Sequence, residues 1–95
     1  MIKIDSYQEA LGHGVDICTG ILFFSVFDDQ QITELSEKYP QIDIYHIDAV
    51  NCHELVSAFG VKELPTLIVL VEGERVKTIQ VSELEKEILN LMRRV

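Results

Sequence analysis

The residues able to do chemistry are few, and they are scattered. Two cysteines, Cys18 and Cys52, lie far apart in the chain with no motif spacing between them. Cys52 follows Asn51 and precedes His53 and Glu54. At or near a helix start, backbone N–H groups and the helix dipole stabilise a thiolate, so Cys52 is the candidate reactive thiol. The favoured reading is plainer: a small, partly buried thiol. Cys18 has no activating neighbour. His46, Asp48, Cys52 and His53 invite a metal reading, but the adjacent pair Cys52-His53 lacks zinc-ligand spacing and no second pair supports it. A strand-packed His46 and a solvated His53 are expected instead. His13, between two glycines, is a turn residue. Ser25 lacks a Gly-x-Ser-x-Gly context, and the glycines form no phosphate loop. No metal or cofactor is expected. The one local oddity is Leu64-Pro65-Thr66 running straight into Leu67-Ile68-Val69-Leu70-Val71. Proline cannot donate to a sheet ladder, and a cis peptide bond at the strand's first residue is one way to place it there.

The elements that must position these residues can be read from pattern. Ile2 and Ile4 mark a short strand, and Ser6 with Glu9 has capping-box spacing for a helix through about Leu11. Ile21 to Phe27 is apolar at nearly every position, as a strand covered on both faces must be. Core packing is therefore expected for Phe23, Phe24 and Phe27; an exposed Phe27 would instead mark a dimer or partner surface. Asp28 to Gln31 supplies N-cap candidates for a helix burying Ile32, Leu35 and Tyr39 and stopped by Pro40. Ile42, Ile44 and Ile47 mark a strand ending near Asp48. Asn51 is the expected cap of the next helix, with Glu54 at its third position, Leu55, Val56, Ala58 and Phe59 inward, and Gly60 at C′. Leu67–Val71, a turn at Glu72-Gly73, and Val76–Val81 form a hairpin. Ser82 to Glu85 predicts a second capping box, opening a helix with Leu84, Ile88, Leu91 and Met92 on one face. Glu83, Glu85, Lys86 and Glu87 fall on its solvated side. The order is βαβαβαββα, an α/β fold with a mixed central sheet flanked by helices, in one domain spanning residues 1–95.

This topology also bears on the cysteines. Cys18 falls at the N-terminal edge of the sheet and Cys52 at the C-terminal edge, roughly 20 Å apart at ~3.3 Å per residue. A disulfide needs Cα atoms within about 7 Å, so free thiols and a reducing compartment are expected. The formal net charge of -8 disfavours nucleic acid and anionic membrane. No stretch is long and apolar enough to span a bilayer, and Met1 to Asp5 is unlike a signal peptide, so a cytoplasmic location is expected.

Phe59-Gly60-Val61, Leu64-Pro65-Thr66 and Glu72-Gly73-Glu74, in this order and spacing, resemble the cis-proline region of thioredoxins, and the element order is similar to that fold along most of the chain. The resemblance implies a thioredoxin-like domain, divergent and shortened, with Pro65 in cis. In that family a Cys-x-x-Cys pair opens the helix after the central strand. Here the corresponding stretch is Asp28-Asp29-Gln30-Gln31-Ile32-Thr33, without cysteine, and Phe24 replaces the family's buried acid. Two thiols one helical turn apart are what dithiol exchange requires, and they are missing. Val81 stands where thioredoxins usually carry glycine, narrowing the peptide groove. The resemblance still implies a peptide-binding surface of Asp28, Asp29, Gln30, Glu63, Leu64, Pro65, Gln80 and Val81, where an extended partner adds to backbone groups beside the proline. Its acidic lip favours basic partners. The expected function is a protein-binding or assembly module without dithiol redox activity. The alternative is an oxidoreductase or redox sensor using Cys52 alone, and a purely structural homo-oligomer is a third reading.

Overall fold

A computed structural model describes residues 1–94. The elements are β1 (Ile2–Ile4), α1 (Tyr7–Gly12), a 3-10 turn (Val15–Ile17), β2 (Gly20–Ser25), α2 (Gln30–Lys38), β3 (Asp43–Asp48), α3 (His53–Ala58), β4 (Thr66–Val71), β5 (Glu74–Ile79), a second 3-10 turn (Val81–Glu83) and α4 (Leu84–Met92). The strands form one sheet in the order β1-β3-β2-β4-β5. β1, β3 and β2 run parallel; β4 is antiparallel to both β2 and β5.

Alternation along the strands sends side chains to two separate cores. Leu22, Phe24, Tyr45, Ile47, Ile68 and Leu70 pack with Ala10 of α1 and Leu55 of α3. Ile21, Phe23, Ile44, Leu67 and Val69 pack with Ile32 of α2 and with Leu84, Ile88 and Leu91 of α4. Because both faces are covered, β2 is buried at every residue.

The ends of the elements are set by polar side chains, and here several expectations are corrected. β2 stops at Ser25 rather than Phe27. The Ser25 hydroxyl donates to the Phe27 carbonyl at 2.8 Å and accepts from the Phe27 N–H at 3.0 Å. That tight turn lifts the chain off the sheet, so Phe27 is 77% exposed instead of packed in the core. The cap of α3 is Cys52, not Asn51. Asn51 belongs to a loop organised by Asp48, whose carboxylate accepts from the Val50 and Asn51 N–H groups at 2.9 and 3.2 Å and from the Asn51 side-chain amide at 3.3 Å.

The hairpin turns at Glu72-Gly73, both with positive φ (52° and 81°), and its second strand is Glu74–Ile79 rather than Val76–Val81. Glycine is required at position 73, since a Cβ there would meet the Asp16 carbonyl oxygen at 2.4 Å. The box that opens the last helical region spans Gln80 to Glu83, with the Glu83 carboxylate accepting from the Gln80 N–H at 3.1 Å, not Ser82 to Glu85. Glu85 instead ties α4 to α2, accepting from Lys38 Nζ at 3.0 Å and Tyr39 Oη at 2.6 Å. Glu87 is buried rather than solvated and pairs with Lys77 of β5 at 3.0 Å. No described helix is long and apolar enough to cross a membrane.

Candidate functional site

Helix α2 leaves the C-terminal end of the central strand through a capped start. Asp29 Oδ1 accepts the Ile32 N–H at 3.0 Å, and the Thr33 hydroxyl donates to the Asp29 carbonyl at 2.9 Å. A helix N-terminus lowers the pKa of a thiol placed there. In this chain Gln30, Gln31, Ile32 and Thr33 occupy it, and Ile32 is buried in the core.

Across the sheet edge the Leu64–Pro65 peptide bond is cis, and the Thr66 hydroxyl donates to the Glu63 carbonyl. Glu63, Pro65, Thr66, Gln80, Val81 and Glu83 border an open groove of about 570 Å³. Glu63, Pro65, Gln80 and Val81 of the expected surface thus meet in one place. The other four do not line it. Leu64 is 45% exposed beside it, Asp29 is the helix cap, and the Gln30 amide bonds Glu34 at 3.2 Å. Asp28 faces a different depression.

Both cysteines are free. Cys52 is completely buried, and its thiol donates to the Ile4 carbonyl across 3.6 Å. Burial pushes its pKa up, and the carboxylates of Asp48, Asp5, Glu54 and Glu9 add to that. Desolvation and acidic neighbours thus act against the activation that the start of α3 could give, a helix of six residues. Burial, then Asp43, pushes the Cys18 thiol up to about 11. Among the described residues no group of His, Cys, Asp and Glu is placed to hold a metal ion.

Sequence reasoning missed the other polar feature of this edge. Lys3 of β1, His46 of β3 and Phe23 of β2 are register neighbours across three strands. The His46 ring stacks on Phe23 with centroids 4.7 Å apart. It is only 5% exposed, and neither ring nitrogen has a hydrogen-bond partner among the described residues. Burial lowers its pKa, opposed by Asp28 and reinforced by Lys3. Nδ1 lies 3.4 Å from Asp28 Oδ1, and Lys3 Nζ lies 3.4 Å from the same oxygen. These residues, with Asp5, Ser25, Phe27 and Asp48, line a notch of about 210 Å³. A histidine in a strand pattern signals burial. The loop that roofs it depends on the Ser25 turn, which the pattern does not show.

A mixed five-stranded sheet with a cis-proline at the start of the antiparallel hairpin defines the thioredoxin fold, and solved structures agree. Thioredoxin from Trypanosoma brucei brucei superposes with a TM-score of 0.82 at 16% identity, covering 98% of this chain and 91% of the other. Thioredoxin NaTrxh from Nicotiana alata gives 0.74 at 22% identity, with coverages of 94% and 90%. Thioredoxin of Plasmodium falciparum gives 0.73 at 19%, with coverages of 95% and 98%. No curated protein sequence is significantly similar. The sequence profile of the family described as Thioredoxin matches residues 29–94, and the chain belongs to that family.

Proposed function

We propose that this thioredoxin-family chain is a protein-binding or assembly module that works without dithiol exchange. One observation carries the reading: the start of α2 holds Gln30 to Thr33 and no thiol, while the groove beside Pro65 stays open. The nucleophile is missing from the place where a helix dipole would activate it, and both thiols present are held protonated by burial. An extended peptide can still pair with the backbone flanking Pro65, with Val81 and Leu67 forming the apolar floor. Glu63 and Glu83 on the rim favour lysine or arginine in that peptide.

Insulin reduction with a dithiol donor tests the redox half of the proposal. The chain is expected to leave the rate at that of the donor alone. Acceleration that persists in Cys52→Ser overturns it. Selection of extended peptides from a display library tests the other half. Peptides that bind the parent chain are expected to lose binding to Val81→Arg, which fills the groove; equal binding to both chains removes the groove from consideration.

A further inference from the structure

We propose that the cleft between the turn end of the β4–β5 hairpin and the end of α4 binds an acidic, aliphatic peptide segment of a partner protein. The cleft, of about 310 Å³, shares no lining residue with the groove beside Pro65, and the proposal stands independently of that groove. Its floor is apolar. Val69 and Leu91 belong to the core on the α4 side of the sheet, and Val71 packs against that core half-buried. Val76 carries this surface outward. The β4–β5 register passes over it, since Val69 faces Lys77 and Leu70 faces Arg75, and the bulge leaves Val76 48% exposed on the lining. A ligand's aliphatic side chain laid between Val76 and the floor removes apolar surface from water on both sides.

Charge selects the ligand class. Lys77, Arg93 and Arg94 bring three positive charges to the lining and Glu87 one negative, a formal charge of +2. The whole chain carries a formal net charge of -8 and only eight lysines and arginines, so three of the eight meet at this one cleft. Glu87 is already committed, being buried and accepting from Lys77 Nζ at 3.0 Å. Arg93 and Arg94 are exposed, and neither forms an ion pair among the described residues. The C-terminal end of α4 contributes about half a negative charge, less than the two guanidinium groups supply. A carboxylate is therefore attracted, and a guanidinium can hold it through two parallel N–H donors. Asn90 adds an amide beside them.

An aliphatic side chain next to carboxylates matches both halves of the lining. A peptide fits better than a lipid acid, because a cleft of about 310 Å³ is at the small end of ligand sites and holds a side chain but not an extended acyl chain. Two adjacent arginines call for more than one carboxylate, as a segment with acidic residues on both sides of a leucine provides. The rim of the Pro65 groove, with Glu63 and Glu83, has the opposite charge, so the two sites select different partners.

The test follows the methyl signals of Val76 and Leu91 by NMR in the full chain while a capped pentapeptide of alternating glutamate and leucine is added. A saturable shift is expected, with a Kd of about 0.1–1 mM for so short a segment. Replacing the peptide's glutamates by glutamine, or its leucines by alanine, should weaken binding about tenfold. In the protein, Arg93→Gln combined with Arg94→Gln should weaken it about tenfold, and Val76→Ser about threefold. All three side chains are exposed, and unchanged urea midpoints confirm that the variants fold. Val81→Arg, which fills the groove beside Pro65, should leave this binding unchanged. Absence of a saturable shift overturns the proposal, as does equal binding of the glutamine peptide or unchanged affinity in either cleft variant. Loss of binding in Val81→Arg moves the peptide to the other groove and overturns it too. Hexanoate or inorganic phosphate binding more tightly than the peptide overturns the assignment to a partner protein.

Discussion

Replacing His46 by leucine should make the protein more stable, although it removes a buried, stacked side chain. In the folded chain both ring nitrogens are buried without partners, and an unsatisfied buried polar group costs about 1–3 kcal/mol. Against this stands the contact with Phe23 at 4.7 Å, worth about 0.5–1.5 kcal/mol beyond simple burial. Leucine has a similar volume, no polar atoms, and keeps the apolar contact with its register neighbour Phe23. The balance is a gain of about 1 kcal/mol near neutral pH, or about 4–8 °C in Tm for a domain of this size. The gain should grow in acid, and the sign can be worked out. Burial lowers the folded-state pKa of His46 below its ordinary 6.5. Below pH 6.5 the unfolded chain takes up a proton at this position while the folded chain does not. The parent protein therefore loses stability on acidification, by at most about 1.4 kcal/mol per pH unit, until the folded pKa is reached. The leucine variant lacks that loss. Urea unfolding of both proteins at pH 7.5, 6.5 and 5.5 measures the difference directly. A variant less stable than the parent at pH 7.5, or a difference that does not change between pH 6.5 and 5.5, refutes the reasoning.

Three other outcomes are expected. At pH 8, Cys18, with its pKa near 11 against the ordinary 9.0, should react with iodoacetamide about 100-fold more slowly than an unstructured cysteine, and Cys52 only after unfolding in urea. Mass spectrometry of labelled peptides checks this, and rapid native labelling of Cys52 would return it to candidacy as a redox thiol. Gly73→Ala should cost on the order of 2–4 kcal/mol, because its φ of 81° and the Asp16 carbonyl both reject a Cβ. Gly12→Ala, with open space around it, should be neutral or slightly stabilising in the same urea titration. Asp29→Ala removes the cap of α2 and should cost about 1 kcal/mol, read as a lower urea midpoint at unchanged slope.

Much of the architecture was legible from local pattern. Apolar runs at β2, β3 and β4 marked the buried strands, and Ile32, Leu84, Ile88 and Leu91 marked the inner faces of α2 and α4. Asp29, Gly60 and Glu72-Gly73 marked a helix start, a helix end and a turn, because each conformation is decided within a few residues. Some errors were local, as where the Ser25 hydroxyl turns the chain at Phe27 and Asp48 takes Asn51 into its loop; the others lie where a side chain answers to something distant. The Ser82 to Glu85 box failed because Glu85 reaches Lys38 and Tyr39 on another helix. Glu87 counted as solvated until Lys77 on β5 gave it a partner.

The sequence by itself determined the order of the elements and the missing thiols at the start of α2, since both follow from residue type and near spacing. Tertiary structure alone decided what the remaining groups can do. The sheet buries Cys52 against Ile4, and that burial raises its pKa. Phe27 left the core because one serine hydroxyl turned the chain. His46 became a buried, unpartnered base because three strands aligned it between Lys3 and Phe23, with Asp28 beside it. Burial and charge at a point are sums over neighbours in space, and the linear chain does not say who those neighbours are.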